Sequence, residues 1–482
     1  MRTLVWFRGK DLRVEDHAPL TDAVRTGEVI CVFVLDPFFF APERARTLPH
    51  RMQYLLESIR ALEASLAKLG AQLVLLTDKS VDVIPVVARK WRVDRVVAQR
   101  WTEPFGRVRD ARIARALHVP LELWEGETLA VPGTIKTKGG TPFSVFTPFS
   151  RAHRAATRIE APLAAPKRVP ALPSDVRSPR VEIPTLQELG ITRNPNVIVG
   201  GESNAHARLE AFLRGPARKY ETLRDRLDLA RTSRLSADLK FGTLSVRTVW
   251  TKARHALEKN DPVAWEKFSN ELLWREFTHA LLWERPTLVS DPMRPEWKRF
   301  PWENDERLWK AWEKGATGYP VVDASARQLL AEGFVHNRAR MISASFLTKD
   351  LLVDYRRGEA HYLEYLVDGD WAQNNFGWQW STGCGADAQP YFRVFNPVEQ
   401  GKKFDPTGEY IRRWVPELAK VPDAHIHAPW KAPEAVLRGA DVVLGKTYPR
   451  PIVDHAHARE RFLKLAKKHL QSARATSSLE ST

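Results

Sequence analysis

Five short apolar runs, at residues 3–7, 29–35, 72–76, 95–99 and 121–124, recur through the first 130 residues with helical patterns between them. This alternation restricts the fold more than any other feature. Parallel strands cannot be joined by tight turns, and a helical crossover between successive strands is the usual connection. Between the second and third runs, RMQYLLESIRALEASLAKLG sets Met52, Leu55, Ile59, Leu62 and Leu66 on one helical stripe, with Gly70 placed to end the helix. The expectation is a Rossmann-like parallel sheet with helices on both faces. FRGKDLR follows the first run where a dinucleotide fold would carry GxGxxG, so the standard phosphate-binding fingerprint is absent from its place.

The remainder of the chain differs in character. Pro162, Pro166, Pro170, Pro173, Pro179, Pro184 and Pro195 interrupt any regular element and mark a linker. From Glu202 onward the patterning is almost wholly helical, broken at GATGYP and GCGADAQP. The expected organisation is an α/β domain over 1–130, a linker over 131–201, an all-α domain over 202–470 and a frayed polar tail over 471–482.

Composition excludes several classes. The longest unbroken apolar run, 29–35, is far short of the ~20 residues of a membrane span. Two cysteines, Cys31 and Cys384, make no disulfide framework, and a cytoplasmic location is expected. The net charge of +16 is spread along the chain, as on a folded surface that meets a polyanion, nucleic acid above all. Of 17 tryptophans, eight fall between Trp250 and Trp312, a density suited to stacking on bases or on a ring cofactor. No HExxH, Walker loop, GxSxG or CxxC occurs, and no metal site is expected. GCGADA matches a phosphate loop by letter only, since no strand precedes it. The pairs His425/His427 and His455/His457 read as surface histidines.

Three polar–aromatic blocks remain. FSNELLWREF places Glu271, Trp274 and Arg275 at i, i+3 and i+4 on one helix face. An acid, a large aromatic and a cation together suit a pocket wall better than a core. FVHNRARMISASF adds Asn337, Arg338, Arg340 and Met341; DGDWAQNNFGWQW adds two acids, two adjacent asparagines and three tryptophans.

With VWFRGKDLRVEDHAPL, TSRLSADLKFGTLS, TGYPVVDASARQL and YFRVFNPVEQGKKFD, these blocks run in order along most of the chain. The sequence resembles the photolyase/cryptochrome family, and within it the bacterial class I cyclobutane pyrimidine dimer photolyases. The resemblance implies a helical domain that binds FAD and a light-driven electron transfer from reduced flavin to a lesion flipped out of DNA. By position, flavin contacts would be Tyr220, Thr232, Ser233, Leu235, Ser236, Glu271, Arg275, Arg340, Asp368, Gly369, Asp370 and Asn374. Asn374 matches the residue facing flavin N5, where a neutral amide can donate or accept. Trp274 and Trp380 match the walls of the lesion pocket, while Glu271 and Asn337 match hydrogen-bond partners of the pyrimidines. Met341 stands where (6-4) photolyases carry histidine, which favours the cyclobutane dimer. Arg224, Trp274, Asn337, Arg338 and Gln400 match DNA-contacting positions.

The surface-to-flavin relay implied by the family would use Trp302, Tyr355 and Trp378, with tyrosine in a place usually held by tryptophan. Trp371, seven residues before Trp378, is an alternative hop. In the α/β domain, Glu103 of RWTEPFGRVRD matches an antenna-ligand position, with methenyltetrahydrofolate, a deazaflavin, FMN or an empty site as the alternatives. The resemblance implies a deoxyribodipyrimidine photo-lyase acting on UV-damaged DNA, with no membrane and no required protein partner, as a monomer. A cryptochrome-like photoreceptor without repair activity is the alternative.

Overall fold

The computed structural model describes residues 1–479. By its internal contacts the chain forms two compact units. The first comprises Met1–Glu221, Thr232–Pro286 and Val367–Ala372; the second comprises Thr222–Arg231, Thr287–Leu366 and the chain from Gln373 onward.

The first unit is built on five parallel strands, β1 (Arg2–Phe7), β2 (Glu28–Leu35), β3 (Leu73–Thr77), β4 (Arg95–Gln99) and β5 (Leu121–Trp124). Their order is β3-β2-β1-β4-β5. Alternate residues divide between two cores: Val5, Phe7, Cys31, Phe33 and Val97 face one side, and Leu4, Trp6, Ile30, Val32 and Val96 face the other. That alternation over two buried faces is why the runs read as continuously apolar in sequence. Helix α1 (Pro49–Lys68) covers the first face with Met52, Leu55, Ile59, Leu62 and Leu66, the stripe expected from the sequence. Burying each such side chain contributes about 1.5–3 kcal/mol. Past its C-terminus Gly70 adopts φ +91°. Its N–H bonds to the Ala67 carbonyl at 3.0 Å and the Ala71 N–H to that of Leu66 at 2.9 Å, the paired bonds that close a helix through a left-handed residue. Helices α2 (Ser80–Lys90) and α3 (Pro104–Ala116) supply Ile84, Val87 and Ile113 to the opposite face.

Strand order reverses direction at β1, between β2 and β4. Open α/β sheets present a crevice beyond the carboxyl ends of their strands at such a point. Here those ends carry Arg8 to Lys10 and Arg100 to Glu103. The same unit continues with α4 (Phe146–Ala156), α5 (Glu202–Arg214), α6 (Ser236–Phe241), α7 (Val246–Leu257) and α8 (Pro262–Glu284). Gly242, at φ +61°, ends α6 against Lys10, and a Cβ there would overlap the Lys10 carbonyl.

The second unit is helical around one large core. Its elements include α9 (Glu306–Glu313), α10 (Pro320–Glu332), α11 (Asn337–Ser345), a π-helical turn (Phe346–Asp350), α12 (Tyr355–Tyr365), most of α13 (Trp371–Thr382), α14 (Pro397–Phe404) and α15 (His455–Leu479). Residues 471–479 of the expected frayed tail thus lie within α15, and 480–482 lie outside the described residues. GCGADA follows α13 as a turn, as read from sequence. The surface reading of the H-x-H pairs fits His457, which is exposed, and needs correction at His427 and His455. His427 is only 5% exposed, packed where a Cβ on Gly401 would come within 2.7 Å of its Nδ1. His455 holds Asp350 at 2.5 Å. No described helix is long and apolar enough to cross a membrane.

Candidate functional site

In the first unit α8 carries Glu271, Trp274 and Arg275 on consecutive turns, Arg275 buried and the other two half-buried. Arg275 Nη1 donates to the Glu127 carbonyl at 2.6 Å. Trp274 lies face to face with Phe146 of α4, ring centroids 3.6 Å apart and planes 8° from parallel. Tyr220 packs edge-on against Phe212 and Phe268. Thr232 and Ser233 precede Arg234, which adopts a left-handed φ of +53°, and Leu235 is buried immediately before α6, where Ser236 is the first residue. Asp368, Gly369 and Asp370 are buried in the segment just before α13.

Asp370 belongs to a buried ionic cluster. Lys10, at the carboxyl end of β1, bonds Asp370 at 3.2 Å and Glu103 at 3.1 Å, and its ammonium also bonds Glu127. Glu127 Oε2 further accepts from the Thr102 N–H at 2.7 Å, and the Thr102 hydroxyl meets His279 Nδ1 at 2.6 Å. Burial raises the Glu103 carboxyl above its ordinary range. At Glu127 burial is again the largest influence and acts the same way, but the neighbouring positive charges, Lys10 first, together outweigh it and bring the carboxyl down to about 2. Burial, aided by Arg275, lowers His279 to about 4, so its ring is neutral. Glu127, His279 and Asp370 bring ligand atoms within 4.8 Å of one another, and the Lys10 ammonium supplies the cation for two of the three. Arg275 Nε and His279 Nε2 are buried with no hydrogen-bond partner among the described residues. An arginine N–H and an open imidazole nitrogen beside hydroxyl-bearing and acidic groups fit a polyoxygenated cofactor such as FAD.

A cavity of about 370 Å³ opens at the strand ends of the same unit. Trp6, Phe38, Trp101 and Phe105 are among its walls. Arg8, Arg51, Lys79, Arg109 and Lys240 also line it, against the single acid Asp36. Burial and the neighbouring Arg51 push Lys240 well below its ordinary pKa, as expected where cations gather in a cavity. Glu103 does not line this cavity, because its carboxylate is turned to Lys10.

The second unit holds the remaining site residues. On α11, Asn337 is exposed and its amide approaches Met341 Sδ at 3.8 Å. Arg340 Nε donates to the Val335 carbonyl at 2.7 Å. Arg338 bonds Asp225 at 3.0 Å and lies 4.3 Å from the Phe404 ring centroid, while Arg224 stands 3.9 Å from Asp225. Gln400 lies on α14, half-buried. On α13, Asn374 is buried and its Nδ2 donates to the Glu359 carbonyl oxygen at 3.0 Å. The next residue, Asn375, donates to the Glu359 carboxylate at 3.0 Å. Trp380 is half-buried on the same helix.

Burial raises Glu359 to about 7, against the opposing hydrogen bond from Asn375. A carboxyl raised in the folded state binds protons that the unfolded chain has lost, so stability falls as pH rises from about 4.5 to 7 and is flat above. Glu359→Gln keeps an oxygen for Asn375 and removes the titration. It should flatten this part of the pH–stability curve by up to about 3 kcal/mol relative to the parent, measured by denaturation from pH 5 to 8.

The expected relay residues fall into separate ring clusters. Trp302 stacks with Trp297 at 6.4 Å and meets Phe300 at 4.4 Å. Trp378 meets Trp312 at 6.0 Å, and Trp312 meets Trp309 at 5.4 Å on α9. Gly358 makes room for Trp378, whose ring a Cβ at 358 would overlap. Tyr355 is buried and joins none of the described ring pairs; instead the Arg356 guanidinium lies 4.9 Å from its ring centroid. Sequence reasoning did not find Trp309, Trp312, Lys10 or Glu127. The tryptophan-dense stretch ending at Trp312 and the motif FRGKDLR around Lys10 were local signals, but neither pointed to these particular side chains.

A family model described as "DNA photolyase" matches residues 3–170, and one described as "FAD binding domain of DNA photolyase" matches residues 268–468. The chain is 39% identical over 478 residues to the deoxyribodipyrimidine photo-lyase of Agrobacterium fabrum, covering 95% of this chain and 96% of that protein. It is 36% identical to Cryptochrome-1 of Arabidopsis thaliana, covering 95% of this chain and 69% of that one. Among solved structures, a bacterial class III photolyase from Agrobacterium tumefaciens matches with a TM-score of 0.90 at 37% identity, over 98% of each chain.

Proposed function

The chain belongs to the photolyase/cryptochrome family and carries its FAD-binding domain, and from that premise we propose that it is a light-dependent DNA-repair enzyme that splits cyclobutane pyrimidine dimers. Bound FAD would supply the light-driven electron. The residues assigned to hold it are those of the first-unit set together with Arg340 and Asn374. The observation that carries the reading is Asn374. Its Nδ2 is tied to the Glu359 carbonyl, which fixes the amide and leaves its oxygen and second N–H for the cofactor. A carboxylate at this position would set an anion against that same carbonyl and against a reduced ring; the amide does neither.

Trp274 and Trp380 would stack on the flipped lesion, with Glu271 and Asn337 bonding its polar edges and Met341 filling the place of a histidine acid. Arg224, Arg338 and Gln400 would meet DNA, in keeping with the net charge of +16. The strand-end cavity, with aromatic walls and an excess of cations, suits a flat anionic antenna chromophore. Working on DNA in the cytoplasm as a monomer follows from the same reading. The class I assignment drawn from the motifs stands beside a class III structural relative, and Tyr355 favours the cryptochrome-like photoreceptor as the second reading.

The pocket assignment is tested by binding in the dark. Trp274→Ala should weaken affinity for dimer-containing DNA by ~1–3 kcal/mol through lost stacking and leave undamaged DNA nearly unaffected. Equal losses on the two substrates would remove Trp274 from the lesion wall.

A further inference from the structure

We propose that Phe146 is the positioning residue for Trp274, fixing the plane on which a lesion stacks; this rests on the reading of Trp274 as a lesion wall. Phe146 lies in the stretch 131–201 expected to serve only as a linker, yet there it opens α4, whose buried side is Phe146, Phe149, Ser150 and His153. That side is laid on α8. Phe146 covers one face of the Trp274 indole at 3.6 Å, and both rings meet Phe277 nearly edge-on, at 6.1 Å and 6.0 Å. Phe149 closes on Phe277 at 5.1 Å.

A near-parallel sandwich is not the arrangement a free aromatic pair prefers, which is offset or edge-to-face. Here polar ties along the same two helices impose it. Arg154 Nη2 donates to Ser269 Oγ at 2.8 Å and to Asn270 Oδ1 at 3.0 Å. With these contacts holding α4, Phe146 cannot slide off Trp274. The face covered by Phe146 is closed to any ligand, and the indole is already ordered before a flat partner arrives. Preorganisation of this kind raises affinity by removing the ordering cost from the binding step.

The test measures dark affinity of the FAD-loaded protein for a thymine-dimer-containing oligothymidine and for its undamaged counterpart, in Phe146→Ala, Phe146→Leu, Phe146→Tyr, Trp274→Ala and the Phe146→Leu/Trp274→Ala pair. The expected result is a loss of roughly 3- to 10-fold on the damaged strand for Phe146→Ala and Phe146→Leu, the size of one aromatic pair, with no change on the undamaged strand. Phe146→Tyr should bind as the parent, and Phe146→Leu should add nothing once Trp274 is gone. Phe146→Leu keeps apolar volume and so separates ring stacking from folding. Parent-like binding by Phe146→Leu, or additive losses in the double variant, would overturn the positioning role alone. Unchanged lesion binding by Trp274→Ala would overturn the lesion-wall reading and this inference with it.

Discussion

Lys10→Met is expected to destabilise the protein by about 3–5 kcal/mol, the loss typical when one partner of a buried ion pair is removed. Lys10 is 4% exposed and is the ammonium bonded by Glu103, Glu127 and Asp370 at once. Without it the three carboxylates stay buried close together, and some must take up protons to remain folded. The Glu127 contribution has a definite sign. With its folded pKa brought down to about 2, it stabilises above the ordinary glutamate range near 4.5 and is lost as pH falls toward 2. In Lys10→Met that acid-side loss should vanish, and adding Glu127→Gln should restore part of the stability at neutral pH. Denaturant midpoints for the parent, single and double variants make the comparison. A shift under about 1 kcal/mol for Lys10→Met would mean the cluster is solvated and does not hold Asp370 in place.

The second large effect concerns the refilling of FAD with electrons. Trp378→Phe should abolish light-driven reduction of oxidised FAD, because phenylalanine is far harder to oxidise than tryptophan. Trp312→Phe should slow it strongly and Tyr355→Phe little. The ring contacts lead from Trp378 to Trp312 and Trp309. A radical cation on Tyr355 would face the Arg356 guanidinium and would have to shed its proton from a buried side chain. Trp309 also has a guanidinium nearby, that of Arg357 at 4.4 Å, paired with Glu306 at 2.9 Å as Arg356 is paired with Asp354 at 3.1 Å, so the difference between the two sites is that an indole radical cation need not shed a proton at once. Repair by chemically pre-reduced protein should survive the Trp312 and Tyr355 changes. Bleaching under blue light with an external donor measures the reduction; a severe defect in Tyr355→Phe with a normal Trp312→Phe would return the route to Tyr355.

The sheet was legible because its information is local. Each strand was bounded within one residue by its apolar run, and the stripe from Met52 to Leu66 announced both the helix and the face it covers. The turn at Gly70 followed from one glycine at a helix end. What escaped was non-local or disguised. Lys10, Glu103, Glu127 and Asp370 lie as far as 360 residues apart and share no pattern, since the topology alone gathers them. Phe146 stood in a proline-rich stretch that reads as a connection, although α4 forms within it. His427 looked like a surface residue because an H-x-H pair carries no information on what packs over it. Trp309 and Trp312 form an i, i+3 aromatic pair, which is usually core, and only the contact of Trp312 with Trp378 suggests another use. Spacing alone set Trp274 on a pocket-like helix face, but its assignment to a lesion and that of Asn374 to a flavin came through resemblance, because a helix face gives no hint of which ligand it meets.

Repair is the activity on which the assigned roles of these residues converge. The direct measurement is the ultraviolet absorbance of dimer-containing oligothymidine incubated with the FAD-reduced protein, in the dark and under blue light. Splitting the dimers restores the conjugated thymine rings, so absorbance should rise only in the light, and the rise should fail in Trp378-independent fashion when Asn374→Asp replaces the amide. Unchanged absorbance under light, from protein that binds FAD and photoreduces it normally, would contradict the repair assignment and leave the photoreceptor reading in its place.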